Sequence, residues 1–246
     1  MSFCEVRFSG AAANKACGMN VILPDAGEGP FPVLYLLHGY SDDHTIWCRR
    51  TRLEWYVREM PLIVVMPDGL HSFYCNDPRP GGFAGEDHII ADVVGFVERA
   101  CPALAEREGR ALAGLSMGGY GSMMLALRHP EMFCAVSSHS SAFDFAHKPI
   151  SERHEINTFA AALPDNRYDC FVLAAQAARA GNAPAIRFDC GTEDFLLASN
   201  RDFHAHLDAV GLAHQYAEFP GQHTWPYWDE HVQQTLRFVA EHLRMP

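Results

Sequence analysis

The chain has 246 residues, 48% of them apolar, enough for a sizeable buried core and too many for a disordered segment. Its 19 Lys and Arg against 30 Asp and Glu give a net charge of −11, which repels phosphate backbones and argues against nucleic-acid binding. No apolar run reaches the length of a membrane span, and one domain is expected at this length.

Strands are expected first, over Phe3 to Phe8 and Met19 to Leu23, where apolar residues alternate or cluster before the Pro- and Gly-rich PDAGEGPFP. Val33 to Leu37 and Leu62 to Met66 are unbroken apolar runs, the pattern of strands buried on both faces of a parallel sheet. Ala111 to Leu115 is a shorter run. Ala135 to Ser138, Ala185 to Phe188 and His214 to Phe219 are weaker ones. Between them, three- and four-residue apolar spacing predicts helices over Trp47 to Met60 and Ile89 to Ala100. Further helices are expected over Gly118 to His129 (stopped by Pro130), Phe171 to Ala180, Phe203 to Val210 and Val232 to Leu243. Strands alternating with helices predict a mostly parallel central sheet flanked by helices. Residues 142–169 show no period and are expected to form a lid or binding insert.

The eight Cys form no C-x-x-C pair, so neither a zinc ribbon nor a thioredoxin-type site is expected. The opening MSFCEVRFSG lacks a basic stretch followed by an apolar one. Free thiols in a reducing cytoplasm are the simplest reading.

Gly114-Leu115-Ser116-Met117-Gly118 is a G-x-S-x-G motif. It is short, so context gives it weight: a strand candidate precedes it and a helix candidate follows. This strand–turn–helix setting presents a nucleophilic Ser above the sheet of an α/β-hydrolase fold. Ser116 is the candidate nucleophile, and the Met117 N–H is the first candidate donor to an oxyanion. A Ser hydroxyl needs a base. In this fold the chain order is Ser, acid, His, with the His in a loop after the last strand. Among 14 His, His223 fits. It follows the last strand candidate and the break at Pro220-Gly221. His231 and His242 are expected on the surface of the final helix, and His204 and His206 on different sides of an earlier one. For the acid, Asp194 lies past a Gly turn after a late strand, with Glu193 and Asp189 as rivals. Val33 to Leu37 ends in His38-Gly39-Tyr40, where the Tyr40 N–H is the candidate second oxyanion donor and His38 a brace for the loop.

These stretches, with Cys190-Gly191-Thr192-Glu193-Asp194 and Gly221-Gln222-His223-Thr224-Trp225, resemble the esterase D-type family of the α/β-hydrolase superfamily. That family includes tributyrin esterases, S-formylglutathione hydrolases, feruloyl and acetyl-xylan esterases and mycolyl transferases. The resemblance runs from about Val33 to the C-terminus and is strongest to the small tributyrin esterases. It implies a cytoplasmic serine carboxylesterase for short-chain acyl esters, with Ser116, Asp194 and His223 as triad and Tyr40 and Met117 as oxyanion amides. No metal or cofactor is implied. It also implies a substrate pocket lined by Trp225 and Trp228, with Trp47 a further candidate. The expected partner is a small acyl ester, not a nucleic acid or a membrane, and a homo-oligomer is compatible with the sequence. Alternatives are an acetyl or feruloyl sugar esterase, a thioesterase and, on the same fold, a non-catalytic binding protein. S-formylglutathione hydrolases carry a Cys-containing turn where this chain has His38-Gly39-Tyr40-Ser41-Asp42-Asp43, a departure from that branch.

Overall fold

The computed structural model describes residues 1–25, 27–148 and 154–246. An eight-stranded sheet runs in the order β1-β2-β4-β3-β5-β6-β7-β8. β1 (Ser2–Gly10) and β2 (Lys15–Leu23) form an antiparallel hairpin with Phe8 opposite Cys17. Its turn closes on Asn14 at φ +51°, a left-handed conformation that Asn adopts readily. β2 pairs antiparallel with β4 (Ile63–Pro67). From there β3 (Val33–Leu37), β5 (Arg110–Leu115), β6 (Ala135–His139), β7 (Ala185–Gly191) and β8 (Gln215–Phe219) continue in parallel.

The unbroken apolar runs have a direct physical cause. Helices cover both faces, so alternate residues of one strand enter different cores. Val33, Tyr35 and Leu37 pack into the larger core, while Leu34 and Leu36 pack into the smaller one. α5 (Ser116–Arg128), α7 (Cys170–Ala180) and α8 (Leu197–Ala209) lie on the first side. The second side carries α1 (Ile46–Arg50), α2 (Leu53–Val57) and α9 (Trp225–His242). α3 (Gly85–Asp87) leads through a π-helical stretch, His88–Val93, into α4 (Val94–Ala100).

Expectations change at several points, α8 among them, which begins at Leu197, six residues before the expected Phe203. The helix predicted from Trp47 to Met60 is two helices, because Thr51 is extended between them. Its hydroxyl donates to Trp47 O at 2.5 Å and accepts from Leu53 N at 3.2 Å, competing with helical hydrogen bonds. The final helix begins at Trp225, seven residues before the apolar spacing suggested, with Pro226 in its first turn. The insert over 142–169 contains α6 (His154–Ala162), with Ile156 and Phe159 buried in the larger core. Residues 149–153 of that insert lie outside the described residues.

Candidate active site

The parallel strands end on one side of the sheet, and the chemistry-bearing loops gather there. β5 turns into α5 at Ser116, which holds φ +53°. A non-Gly residue in this region is strained and persists only where its surroundings enforce it. Here the enforcement is close packing. A Cβ on Gly114 would stand 2.4 Å from Gly118 O, and one on Gly118 would stand 2.5 Å from Leu37 O and His38 O. Only glycine lets strand and helix cross so closely.

Ser116 Oγ lies 3.0 Å from His223 Nε2. On the other side of the ring, His223 Nδ1 lies 2.9 and 3.1 Å from the two Asp194 oxygens. A carboxylate only accepts, so Nδ1–H donates to Asp194 and the Nε2 lone pair faces the Ser hydroxyl. The Asp194 side chain is fully buried, while His223 is 18% exposed. Burial alone would raise the Asp194 carboxyl. The hydrogen bond and charge of His223, the Leu196 N–H and the Ser140 hydroxyl outweigh it and hold the group below its ordinary value. The rival acids point elsewhere. Glu193 is exposed and accepts from Thr192 Oγ1 at 2.6 Å. Asp189 is buried beneath the strand ends, where His139, Arg187 and Tyr227 bind it.

Ser116 and His223 open into a cavity of about 660 Å³, and Tyr40 and Met117 line it beside them. Met117 stands in the first turn of α5, where backbone N–H groups have no intrahelical acceptor. Gly39 brings the β3 loop against the elbow: a Cβ there would stand 3.8 Å from Ser116 Cβ and 2.8 Å from Leu115 Cδ1. His38 braces this loop, as its sequence position suggested. Its Nδ1–H donates to Gly39 O at 2.7 Å, and its Nε2 accepts from Gly69 N at 2.9 Å.

The structure places Trp225 and Trp228 in the cavity wall and Trp47 outside it. Trp47 is 1% exposed, donates to Leu37 O at 3.2 Å and meets the Trp225 ring edge-on at 5.3 Å from behind. Its role is to back the Trp225 wall. His231 is likewise not on the surface. It is 4% exposed and stacked on Phe219 at 4.3 Å, because four-residue steps from Tyr227 carry it along the buried stripe of α9.

Three contributors escaped sequence reasoning. Ser140, at φ +48°, hydrogen-bonds Asp194 and accepts the Trp228 indole N–H at 3.2 Å. The signal was present in Ser137-Ser138-His139-Ser140-Ser141, a polar run at the end of a strand expected to be buried. Phe195, next to Asp194, is 76% exposed, with its ring 4.5 Å from His223 at the cavity rim. Ile156 reaches the cavity from α6, inside the unpatterned insert.

Known esterases and serine hydrolases resemble this chain along most of its length. The family model described as "Putative esterase" matches residues 10–239. An acetyl esterase of Caldicellulosiruptor saccharolyticus is 25% identical, over 98% of this chain and 99% of its own length. An esterase of Mycobacterium tuberculosis is 31% identical over 89% of this chain, which spans 55% of that relative. Among solved structures, the fluorophosphonate-binding serine hydrolase F of Staphylococcus aureus superposes with a TM-score of 0.87 at 27% identity, covering 97% of this chain and 98% of that one. The S-formylglutathione hydrolase FrmB of the same organism gives 0.85 at 27%, with the same coverage. The chain belongs to this esterase family: it is a serine hydrolase of the α/β-hydrolase fold that acts on carboxylic esters.

Proposed function

We propose that this protein hydrolyses small, short-chain acyl esters through an acyl-enzyme on Ser116. His223 takes the Ser116 proton from 3.0 Å away, and the freed oxygen attacks the ester carbonyl. The N–H groups of Met117 and Tyr40 bind the oxyanion of the tetrahedral intermediate. The C–O bond to the alcohol breaks as His223 returns the proton to the leaving oxygen. Water then repeats the sequence, His223 taking its proton and finally restoring it to Ser116 as the acid departs. Asp194 holds the ring in the required tautomer and stabilises its charged form. No step needs a metal or an organic cofactor.

The observation that carries this reading is the Ser116–His223–Asp194 chain of contacts opening into an aromatic-walled cavity. The partner is a small acyl ester. Eight free Cys fit a reducing cytoplasm, and no described helix is long and apolar enough to cross a membrane. A second reading has its own support. The Trp225 and Trp228 walls and the exposed Phe195 fit an aromatic acyl group, and a ferulic acid esterase superposes at a TM-score of 0.85 with 25% identity. Rates on p-nitrophenyl acetate, butyrate and octanoate, methyl ferulate and an acyl thioester decide between them, with Ser116→Ala as control. A maximum at acetate or butyrate, lost in the variant, supports the short-chain reading. A maximum at ferulate moves the substrate to aromatic acyl esters. Near-normal turnover by Ser116→Ala rejects the nucleophile.

A further inference from the structure

Well away from Ser116, α8 and the start of β8 bring two imidazoles and a carboxylate together. His204 and Asp208 are one helical turn apart on α8, and His214 lies in the short connection before β8. Their candidate ligand atoms all lie within 4.8 Å of one another. His204 Nδ1 is hydrogen-bonded to His214 Nε2 at 2.7 Å, a bond that an ion between them replaces as the His204 proton moves to Nε2, 3.7 Å from Asp208 Oδ2; Asp208 Oδ1 is 3.9 Å from the same His214 nitrogen.

The surroundings fix how these groups point. His214 Nδ1 lies 2.8 Å from Leu212 O, a carbonyl that can only accept, so the proton sits on Nδ1 and the Nε2 lone pair faces the cluster. A backbone carbonyl bonded to the far ring nitrogen is the usual support of a metal-ligating His. Ring packing holds both imidazoles: His204 stacks on Tyr216 at 4.6 Å and His214 on Phe188 at 5.8 Å. Glu218, a further carboxylate on β8, is already taken by Arg201 and the Tyr216 hydroxyl. Asp208 is 64% exposed and His204 38%, against 4% for His214, so one side of the cluster faces water.

We propose that His204 Nδ1, His214 Nε2 and the Asp208 carboxylate bind one divalent transition-metal ion of the zinc class, with water in the fourth position. Two imidazoles and one carboxylate suit zinc, cobalt or nickel and disfavour the oxygen-seeking calcium and magnesium. Two nitrogens at about 2.1 Å from a tetrahedral ion stand roughly 3.4 Å apart. The imidazoles therefore separate by a little over half an ångström, which the partly exposed His204 can supply. The bound ion ties α8 to β8. α8 follows the loop that carries Asp194, and β8 precedes the loop that carries His223. The ion therefore pins, from the far end, the two elements whose loops meet at the active site.

The test is Zn²⁺ alone, titrated by calorimetry into the full chain freed of metal by chelation, beside His204→Ala and Asp208→Ala. Both side chains are exposed enough to be removed without opening the core, and circular dichroism verifies the fold. Wild type is expected to bind one equivalent with a raised melting temperature, and each variant to lose about tenfold or more in affinity. Millimolar Mg²⁺ or Ca²⁺ is expected not to displace the ion. Absence of a one-equivalent phase in wild type, a smaller loss in either variant, or displacement by those hard cations overturns the site.

Discussion

Among the described residues, two His–Asp couples carry a hydroxyl at the far ring nitrogen, and their contacts are nearly the same. At the cavity, Ser116 Oγ is 3.0 Å from His223, which is 2.9 Å from Asp194. Beneath the strand ends, Thr235 Oγ1 is 2.8 Å from His139 Nε2, and His139 Nδ1 is 2.9 Å from Asp189. Their surroundings differ. His139 and Asp189 have no exposed side-chain surface. Asp189 also receives Arg187 at 2.6 Å and the Tyr227 hydroxyl at 2.7 Å, and the Thr235 hydroxyl is shared with Ser137 at 2.6 Å. The inner couple is a saturated network with no room for a reacting group, as a buried polar cluster must be. The outer one keeps its hydroxyl on a strained turn, beside backbone donors and an open cavity. Hydroxyl–His–Asp spacing alone therefore does not distinguish the two couples; access and turn strain do.

Paired substitutions break this comparison most sharply at the hydroxyls. Ser116→Ala is expected to lower kcat by roughly 10³- to 10⁶-fold with the melting temperature nearly unchanged. Thr235→Val should leave kcat within a few-fold while costing about 1–3 kcal/mol of stability, because it orphans His139 Nε2 and leaves the Ser137 hydroxyl with only the 3.4 Å bond from Arg187 Nη1. Steady-state rates on a p-nitrophenyl ester and urea melts of both variants measure the two effects, and an inverted pattern would exchange the roles assigned to the couples.

The acids give the next largest contrast. Asp194→Asn is expected to cost roughly 10⁴-fold in kcat with the fold intact, since the amide favours the wrong His223 tautomer. Asp189→Asn should instead destabilise the chain by about 3–5 kcal/mol, leaving the buried Arg187 cation without its counter-charge. Its melting temperature, not its kcat per folded molecule, carries the effect.

Acid sharpens the same contrast more gently. Burial pushes the Asp189 carboxyl up, but His139, Arg187 and Tyr227 outweigh it and hold the group at about 2, below the ordinary value near 3.9. Burial pushes the Glu86 carboxyl up as well, but His129, Arg128 and Tyr168 outweigh it and hold that group at about 2. Groups depressed in the folded state stabilise it fully above their unfolded values and lose that contribution as pH falls through the folded ones. Urea midpoints should hold down to about pH 5 and decline between about pH 4 and 2. Asp189→Asn should show a shallower decline from its lower starting point.

Much of this was legible in the chain. Strands β3, β4 and β5 announce themselves because both their faces are buried, so hydrophobicity is continuous. Ser116, Asp194 and His223 announce themselves because glycines and strand ends bracket them. β6 was only faintly legible: Ser137, Ser138 and His139 are polar yet fully buried, and Ser137 and His139 find partners on β7 and α9 that local sequence does not name. The first turns of α9 were missed because Trp225 to Trp228 turn aromatic faces to both the cavity and the core, which hides a single-faced helical period. Asp189 and Asp194 could not be ranked from spacing alone. What separates them is strand pleat against loop turn, a three-dimensional difference.

Ser140 joins the two couples, and its removal is expected to have a modest effect. Its backbone N–H donates to Asp189 O at 2.8 Å, while its hydroxyl serves Asp194 and accepts from Trp228. Alanine at φ +48° is as strained as serine, so Ser140→Ala changes the hydroxyl and leaves the turn alone. It removes one donor from the Asp194 carboxylate and leaves a buried indole N–H unpaired. A loss of one such bond is worth about 1 kcal/mol, so kcat should fall roughly five- to tenfold with KM unchanged. Trp228→Phe keeps the Ser140–Asp194 bond and should cost kcat less, while altering KM through the cavity wall. If Ser140→Ala matched wild type in kcat, the sealed network would support the fold alone, and the orientation of Asp194 would rest on His223 and the Leu196 N–H.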